Sequence, residues 1–381
     1  MKLVIAPDSF KEAASAARVA AAVADGWRSV WPETELCLVP MADGGEGTLD
    51  ALVGGGRGRV ERVETTGPLG EPVTASLGFL DEGRAAVVES AQAVGLSLIP
   101  PERRNPARTT TFGIGRMIAA ALDRGARRIL VAVGGTSTND GGAGMAQALG
   151  VSLKDAEGRE LPPGGEALLR LDHVDLSGLD PRIAETEILV ACDVNNPLCG
   201  PAGASLLYSP QKGADPVLAE RLDDALAHFA GVVLRGLDKD VRILPGGGAA
   251  GGLGAGLAAF LGARLVPGVE VVAREAGLEE ALRGADLVIT GEGRLDAQSL
   301  WGKVPVGVAR LGRAAGVPVI ALAGSLSGDL SALCAEGLTA AFALADGPMS
   351  LEESMVATEE LLRRRSAMLA RVWRAAQEVR P

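Results

Sequence analysis

Histidine and aromatic residues are scarce in this chain. Only His173 and His228 occur among 381 residues, aromatics make up 3%, and Tyr208 is the single tyrosine. Both histidines fall in helix-like or connecting segments, away from the glycine-rich turns. A Ser-His-Asp triad, a histidine general base and a His-ligated zinc centre are therefore excluded as readings. The four cysteines, Cys37, Cys192, Cys199 and Cys334, form no C-x-x-C pair and sit in apolar contexts. They read as buried, reduced thiols of a cytoplasmic protein. No G-x-x-x-x-G-K-[S/T] occurs, so any nucleotide site is not a P-loop, and the protein-kinase motif set is missing too. Long hydrophobic runs are also absent. The Gly/Ala-rich residues 246–265 are the nearest to a membrane span, but their hydrophobicity is low and Arg264 lies at the end. The opening MKLVIAPDSF has four apolar residues before a Pro-Asp turn and reads as a strand, not a signal peptide. Finally, the net charge of −11 comes with no Lys/Arg cluster interleaved with aromatics, which argues against nucleic acid as a partner. A few convergent cations and backbone N–H groups can still bind small anions in a cleft.

What is present is an ordinary globular balance, 47% hydrophobic and 22% charged, with 52 glycines. With so few aromatics the core must be Ala, Val, Leu and Ile, with backbones approaching closely at many turns, which favours a layered α/β protein. Short apolar runs at residues 3–6, 129–133, 188–191, 287–290 and 317–323 end in Gly, Asp or Asn and precede helical patterns. This is the pattern of buried parallel strands with crossover helices. Residues 60–66 and 73–88 are rich in Val and Thr and read as hairpin or meander strands. Helices are predicted over residues 15–30, 111–124, 216–234, 278–283, 304–315 and 351–379, the last with a polar, Arg-rich face. Breaks near residues 54–58 and 266–269 suggest a discontinuous domain, 1–58 plus 267–381, and an inserted domain, 59–266. No internal repeat is visible.

In open α/β sheets ligands bind beyond the carboxyl ends of the strands, and five such segments carry unusual chemistry. After the first strand, APDSFKE places Asp8, Ser9 and Lys11; Ser9 to Glu12 also spells an S-x-x-E helix cap, which leaves Lys11 unexplained. MADGGEGT sets Asp43 and Glu46 on either side of two glycines, although a turn needs only the glycines. Residues 134–144, GGTSTNDGGAG, pack glycines with Thr136, Ser137, Thr138, Asn139 and Asp140. Their N–H groups and hydroxyls can form an anion nest at a helix N-terminus. Asp193 ends a strand before Asn195 and Asn196, a set of oxygens suited to a hard cation or a hydroxyl; further on, Lys212 stands between Gln211 and Gly213 with no packing reason. The fifth segment, TGEGRLDAQSLWGK, crowds Glu292, Arg294, Asp296, Gln298, Ser299 and Lys303 together after a strand. A competing motif is G-x-G-x-x-G at Gly246, Gly248 and Gly251, following residues 241–244 and with Glu270 further on. It would make the chain a nicotinamide oxidoreductase of a small hydroxy acid, but seven glycines in eleven positions match many patterns and Pro245 interrupts it.

Together, PDSFK, MADGGEGT, GGTSTNDGG, DVNNPL, GPAGAS, PQKGA, GGAAGGLGAGL and DLVITGEGRLDAQSLWGK resemble the type 1 bacterial glycerate kinases, in order and over nearly the whole chain. The sequence departs from that pattern at Glu12 and Ala13, where Gly-Ser is usual, at Ser209, where Gly is usual, and at Gly247 or Gly248, where an alanine is usual. The resemblance implies one flavodoxin-like and one Rossmann-like domain, parallel sheets with helices on both faces, and a cleft between domains. It implies phosphorylation of D-glycerate by ATP with Mg²⁺, commonly at the 2-hydroxyl. The partners are then glycerate and ATP, with no nucleic acid or membrane, in a monomer or homodimer. On this reading Lys11, Lys212, Arg294 and Lys303 hold polyphosphate and the glycerate carboxylate. Ser9, Thr136, Ser137, Thr138, Asn139 and Asn195 complete the binding groups, Asp43, Glu46 and Glu292 position Mg²⁺, and Asp193 or Asp140 acts as base or orienter.

Overall fold

Runs of Leu, Val and Ile too short for helices become the strands of two large sheets, beside a third of only two antiparallel strands. The structure is a computed structural model that describes residues 1–54, 56–300 and 302–378, without the side chain of Gln298. The predicted helix end at residue 379 lies outside the described residues. In chain order the strands are β1 (Lys2–Ile5), β2 (Glu35–Leu38), β3 (Gly58–Thr66), β4 (Pro72–Leu80), β5 (Ala85–Glu89), β6 (Arg128–Ala132), β7 (Ser152–Lys154), β8 (His173–Asp175), β9 (Glu187–Ala191), β10 (Arg264–Val266), β11 (Leu287–Leu295), β12 (Val319–Leu326) and β13 (Leu338–Ala343). The chain is α/β with mostly parallel strands. It divides into two compact units, Met1–Asp43 with Asp50–Arg57 and Pro267–Pro381, and Gly44–Leu49 with Gly58–Val266.

In the first unit the sheet order is β13-β12-β11-β1-β2, with every pair parallel. Alternation along the strands sends Leu3, Ile5, Leu287, Ile289 and Leu322 to one face. There they meet Val19, Val23 and Trp27 of the helix Ala16–Arg28 and Leu361 and Leu362 of the helix Thr358–Glu378. Each such side chain contributes roughly 1.5–3 kcal/mol by burial. The helix Val304–Ala315 packs on β11, β12 and β13. Ser15 caps the first helix, its hydroxyl accepting from the Arg18 N–H. The S-x-x-E at Ser9 caps nothing: Phe10 and Ala14 pair as an isolated β-bridge, and Glu12 takes a left-handed φ of 65°. The expected long terminal helix is broken at Ala357 into Leu351–Val356 and Thr358–Glu378.

The second unit has the order β10-β9-β6-β5-β4-β3, parallel from β10 to β5 and antiparallel from β5 to β3. Residues 73–88 are thus two strands joined by a tight turn at Asp81–Gly83. Its core gathers Ile129, Val131, Ile188, Val190, Phe229 and Phe260. Gly113 lets the helix Phe112–Asp123 lie on β3, where a Cβ would fall 2.0 Å from the Thr66 carbonyl oxygen. His173 lies on strand β8, not in a connection. Residues 241–244 are irregular, so the dinucleotide motif lacks its strand. The four cysteines are free, but Cys334 is exposed and the others only half-buried. Among the described residues no helix is long and apolar enough to cross a membrane.

Candidate active site

The carboxyl ends of β1, β11 and β12 open into a cavity of about 380 Å³ in the first unit, lined among others by Asp8, Ser9, Lys11, Asp43, Glu292, Arg294 and Lys303. The loop after β1 is tied to β11 by the Asp8 N–H donating to the Gly291 carbonyl at 2.8 Å and by Thr290 Oγ1 donating to the Ala6 carbonyl at 2.8 Å. Glu292 is buried inside a small network. Ser299 Oγ donates to its Oε1 at 2.7 Å and Lys303 Nζ to its Oε2 at 3.0 Å. Burial holds its carboxyl above the usual range, against the pull of Ser299 and Lys303. Arg294 is largely exposed and pairs with Asp296 at 2.9 Å. Asp8, buried at 8% exposure, accepts from the Ser9 N–H at 2.6 Å. Burial, and then the charges of Asp43 and Glu292, push it up to about 7, with Lys11 pulling the other way. With Glu12, which also lines it, four carboxylates and three cations therefore share one cavity.

In the second unit the glycine loop after β6 borders a cavity of about 240 Å³, lined among others by Gly134, Gly135, Thr136, Val194, Tyr208, Gln211, Lys212 and Ala250. Lys212 is 3% exposed; its Nζ donates to the Thr138 carbonyl at 2.7 Å and to Thr136 Oγ1 at 3.4 Å. Burial lowers its pKa to about 7, with Asp140 partly opposing that. Tyr208 OH donates to Asn196 Oδ1 at 2.8 Å, and Asn196 Nδ2 donates to the Ala202 carbonyl at 2.9 Å. Glu46 lies in the segment set against this glycine loop: a Cβ on Gly134 would fall 2.7 Å from Gly45 Cα. The segment is fastened by buried Glu89, which accepts from the N–H groups of Gly47 and Leu49, each at 3.1 Å.

The sequence candidates part company here. Of the three hydroxyls in the loop only Thr136 borders the cavity. Ser137 Oγ is spent on the Val94 carbonyl at 2.9 Å, and Thr138 Oγ1 is fully buried with no partner among the described residues. Asn139 is buried, its Nδ2 donating to Ser205 Oγ at 2.9 Å. Asp140 accepts from the Thr111 N–H at 2.8 Å, Thr111 Oγ1 at 3.0 Å and the N–H groups of Gly142 and Gly144 at 3.2 Å. That carboxylate shapes the loop and is saturated by it, and burial raises its pKa. Asp193 and Asn195 follow β9, half-buried and exposed respectively, and the neighbouring Val194 lines the cavity. Of the expected metal set, Asp43 and Glu292 share the first cavity with Asp8, whereas Glu46 belongs to the other unit. Among the described residues, no three His, Cys, Asp or Glu side chains group as ligands of a metal ion. Lining residues outside the candidate set include Phe10, Glu12, Met355 and Thr358 in one unit and Tyr208 and Gln211 in the other. Phe10 and Gln211 fall inside the PDSFK and PQKGA motifs, and Tyr208 is the single tyrosine of the chain.

The glycine run at residues 246–256 serves packing. A Cβ on Gly248 would fall 2.3 Å from the Pro197 carbonyl oxygen, on Gly251 2.0 Å from that of Thr138, and on Gly256 2.3 Å from that of Gly141. These glycines press the helix Ala249–Leu261 onto the two functional loops, and no cradle for a dinucleotide is left between them.

A family model for the glycerate kinase family matches residues 3–374. The chain belongs to the glycerate kinase family. It is 48% identical to the glycerate kinase of Halalkalibacterium halodurans, covering 97% of each chain. It is also 48% identical to the glycerate 2-kinase of Escherichia coli K12, covering 93% of each. The crystal structure of a Salmonella typhimurium LT2 protein assigned as glycerate kinase 2 superposes with a TM-score of 0.91 at 47% identity, over the full length of both chains. Membership makes the chain an enzyme that transfers a phosphoryl group to an alcohol.

Proposed function

We propose that the protein transfers the γ-phosphoryl group of ATP, bound with Mg²⁺, to the 2-hydroxyl of D-glycerate. The observation that carries this reading is the first-unit cavity, where Lys11, Arg294 and Lys303 converge with Asp8, Asp43 and Glu292 at the ends of three parallel strands. The cations match the negative charge of a triphosphate. Asp8, pushed toward neutrality by burial and then by the charges of Asp43 and Glu292, fits a site that takes a cation. Mg²⁺ is typically held by one or two carboxylates plus substrate phosphates, so a closed protein cage is not required. One or two of Asp8, Asp43 and Glu292 would hold it there, and the ion would neutralise charge on the phosphates.

Phosphoryl transfer of this kind is loose, and the protein contributes mainly by positioning and charge. Lys303 is oriented by Glu292 and meets the phosphates as a fixed point charge. Lys212 at the glycine loop suits one small anionic group, and we assign it the glycerate carboxylate with Thr136 beside it. The arriving anion favours the ammonium form and draws a proton to Lys212 Nζ. Asp193 takes the late proton of the attacking hydroxyl, since Asp140 has no lone pair to spare. The four free thiols support a reducing, cytoplasmic setting.

The test is ADP release measured with ATP and Mg²⁺ against D-glycerate, L-glycerate, lactate and glycerol. Turnover should be greatest with D-glycerate and be abolished by excess chelator. Equal rates with glycerol, which lacks the carboxylate, would contradict the role given to Lys212.

A further inference from the structure

The first-unit cavity has two walls of different character. The strand-end wall carries the charges, Asp8, Lys11, Glu12, Asp43, Glu292, Arg294 and Lys303. The other wall comes from the short helix Leu351–Val356 and the residue that starts the next helix. It presents Leu351, Ser354, Met355 and Thr358, and none of these is charged. Leu351, Ser354 and Met355, spaced three and four apart, share one face of that short helix. Phe10 and Ala13, from the loop after β1, add apolar lining. The helix is fixed at its start by a capping box, in which Ser350 and Glu353 satisfy each other's backbone N–H groups. Yet Leu351, which lines the cavity, is 78% exposed. The cavity therefore offers an apolar side chain that is open to whatever occupies it.

Glycerate has no apolar part to use such a wall, and a bare polyphosphate has none either. A ligand with a polyanion at one end and a flat, weakly polar ring at the other matches both walls. Resting on the kinase reading above, we propose that Phe10, Ala13, Leu351 and Met355 form the purine subsite of the nucleotide, with its phosphates on Lys11, Arg294 and Lys303. The helix Leu351–Val356 then selects a nucleoside triphosphate over inorganic polyphosphate as the donor.

The experiment compares wild type with the double variant Leu351→Ser and Met355→Ser. Equilibrium dialysis without glycerate measures binding of ATP and of inorganic tripolyphosphate. ATP should bind on the order of ten-fold or more weakly in the variant, as removal of two apolar contacts implies. Tripolyphosphate should bind equally to both proteins, which also reports an intact fold, and KM for glycerate should stay within two-fold. Unchanged ATP affinity, or equal weakening of ATP and tripolyphosphate, overturns the subsite. Because ATP binding is read without the acceptor, a wild-type protein that fails to phosphorylate glycerate but shows this selective loss refutes the acceptor and leaves the subsite standing.

Discussion

Lys212 makes stability and activity pull in opposite directions, and replacing it by methionine should separate the two. The side chain is almost wholly buried and its pKa falls from 10.5 to about 7. Holding the charged form inside therefore disfavours the folded state by on the order of 5 kcal/mol relative to the neutral form. The sign follows from proton counting. Below pH 7 both folded and unfolded chains carry the proton, and the penalty is fully present. Between about pH 7 and 10.5 only the unfolded chain keeps it, so stability rises with pH. Methionine removes the charge at similar volume but leaves the Thr138 carbonyl without its 2.7 Å donor, a loss of about 1–3 kcal/mol. Lys212→Met should therefore be more stable than wild type at pH 6 by a few kcal/mol, with the advantage shrinking as pH is raised to 10. Its kcat/KM should fall by about 10²–10³. Urea midpoints at pH 6, 8 and 10, alongside ADP release, provide both readouts. A variant less stable than wild type at pH 6, or one with full activity, would refute the reasoning.

Glu12 occupies a left-handed φ of 65°, which disfavours a side chain by about 1–2 kcal/mol. Glycine loses some of that gain to unfolded-chain entropy, so Glu12→Gly should raise stability by up to about 1 kcal/mol; a lowered urea midpoint would show that the carboxylate holds the loop. Asp140→Asn sets an amide donor against N–H groups that now have an acceptor. It should destabilise by roughly 2–3 kcal/mol and speed amide exchange at Thr111, Gly142 and Gly144; unchanged exchange would show that the carboxylate does not shape the loop. Gly251→Ala would put a Cβ 2.0 Å from the Thr138 carbonyl oxygen at a φ of +70° and should cost several kcal/mol with loss of activity. Wild-type stability would count against close packing as the purpose of the glycine run.

The parallel strands were legible because runs such as 3–6 and 129–133 are bounded by turn residues and followed by helical periodicity, a local signal. The irregular path of residues 241–244 was not legible, because Pro245 and the glycines beyond it adopt their course to bring a helix against distant carbonyls. Likewise S-x-x-E at Ser9 has the letters of a cap, but the loop is held by β11 and by the pairing of Phe10 with Ala14. The helix signal there belongs to Ser15. In the site, the charged residues could be picked out by type, since Lys212 between Gln211 and Gly213 has no packing reason in sequence. Their division of labour could not. Whether a hydroxyl of residues 136–138 lines a cavity or holds the Val94 carbonyl depends on a neighbour more than forty positions away. The departure of Glu12 from the usual glycine acquires a physical meaning only through its φ.

The central claim is the transfer of one phosphoryl group from ATP to the 2-hydroxyl of D-glycerate. Proton-coupled ³¹P NMR of the product tests it directly. A phosphate on the 2-oxygen couples to one carbon-bound proton, and the account predicts a doublet appearing in step with ADP. A triplet would place the phosphate on the 3-hydroxyl, and inorganic phosphate alone would mean that glycerate is not the acceptor.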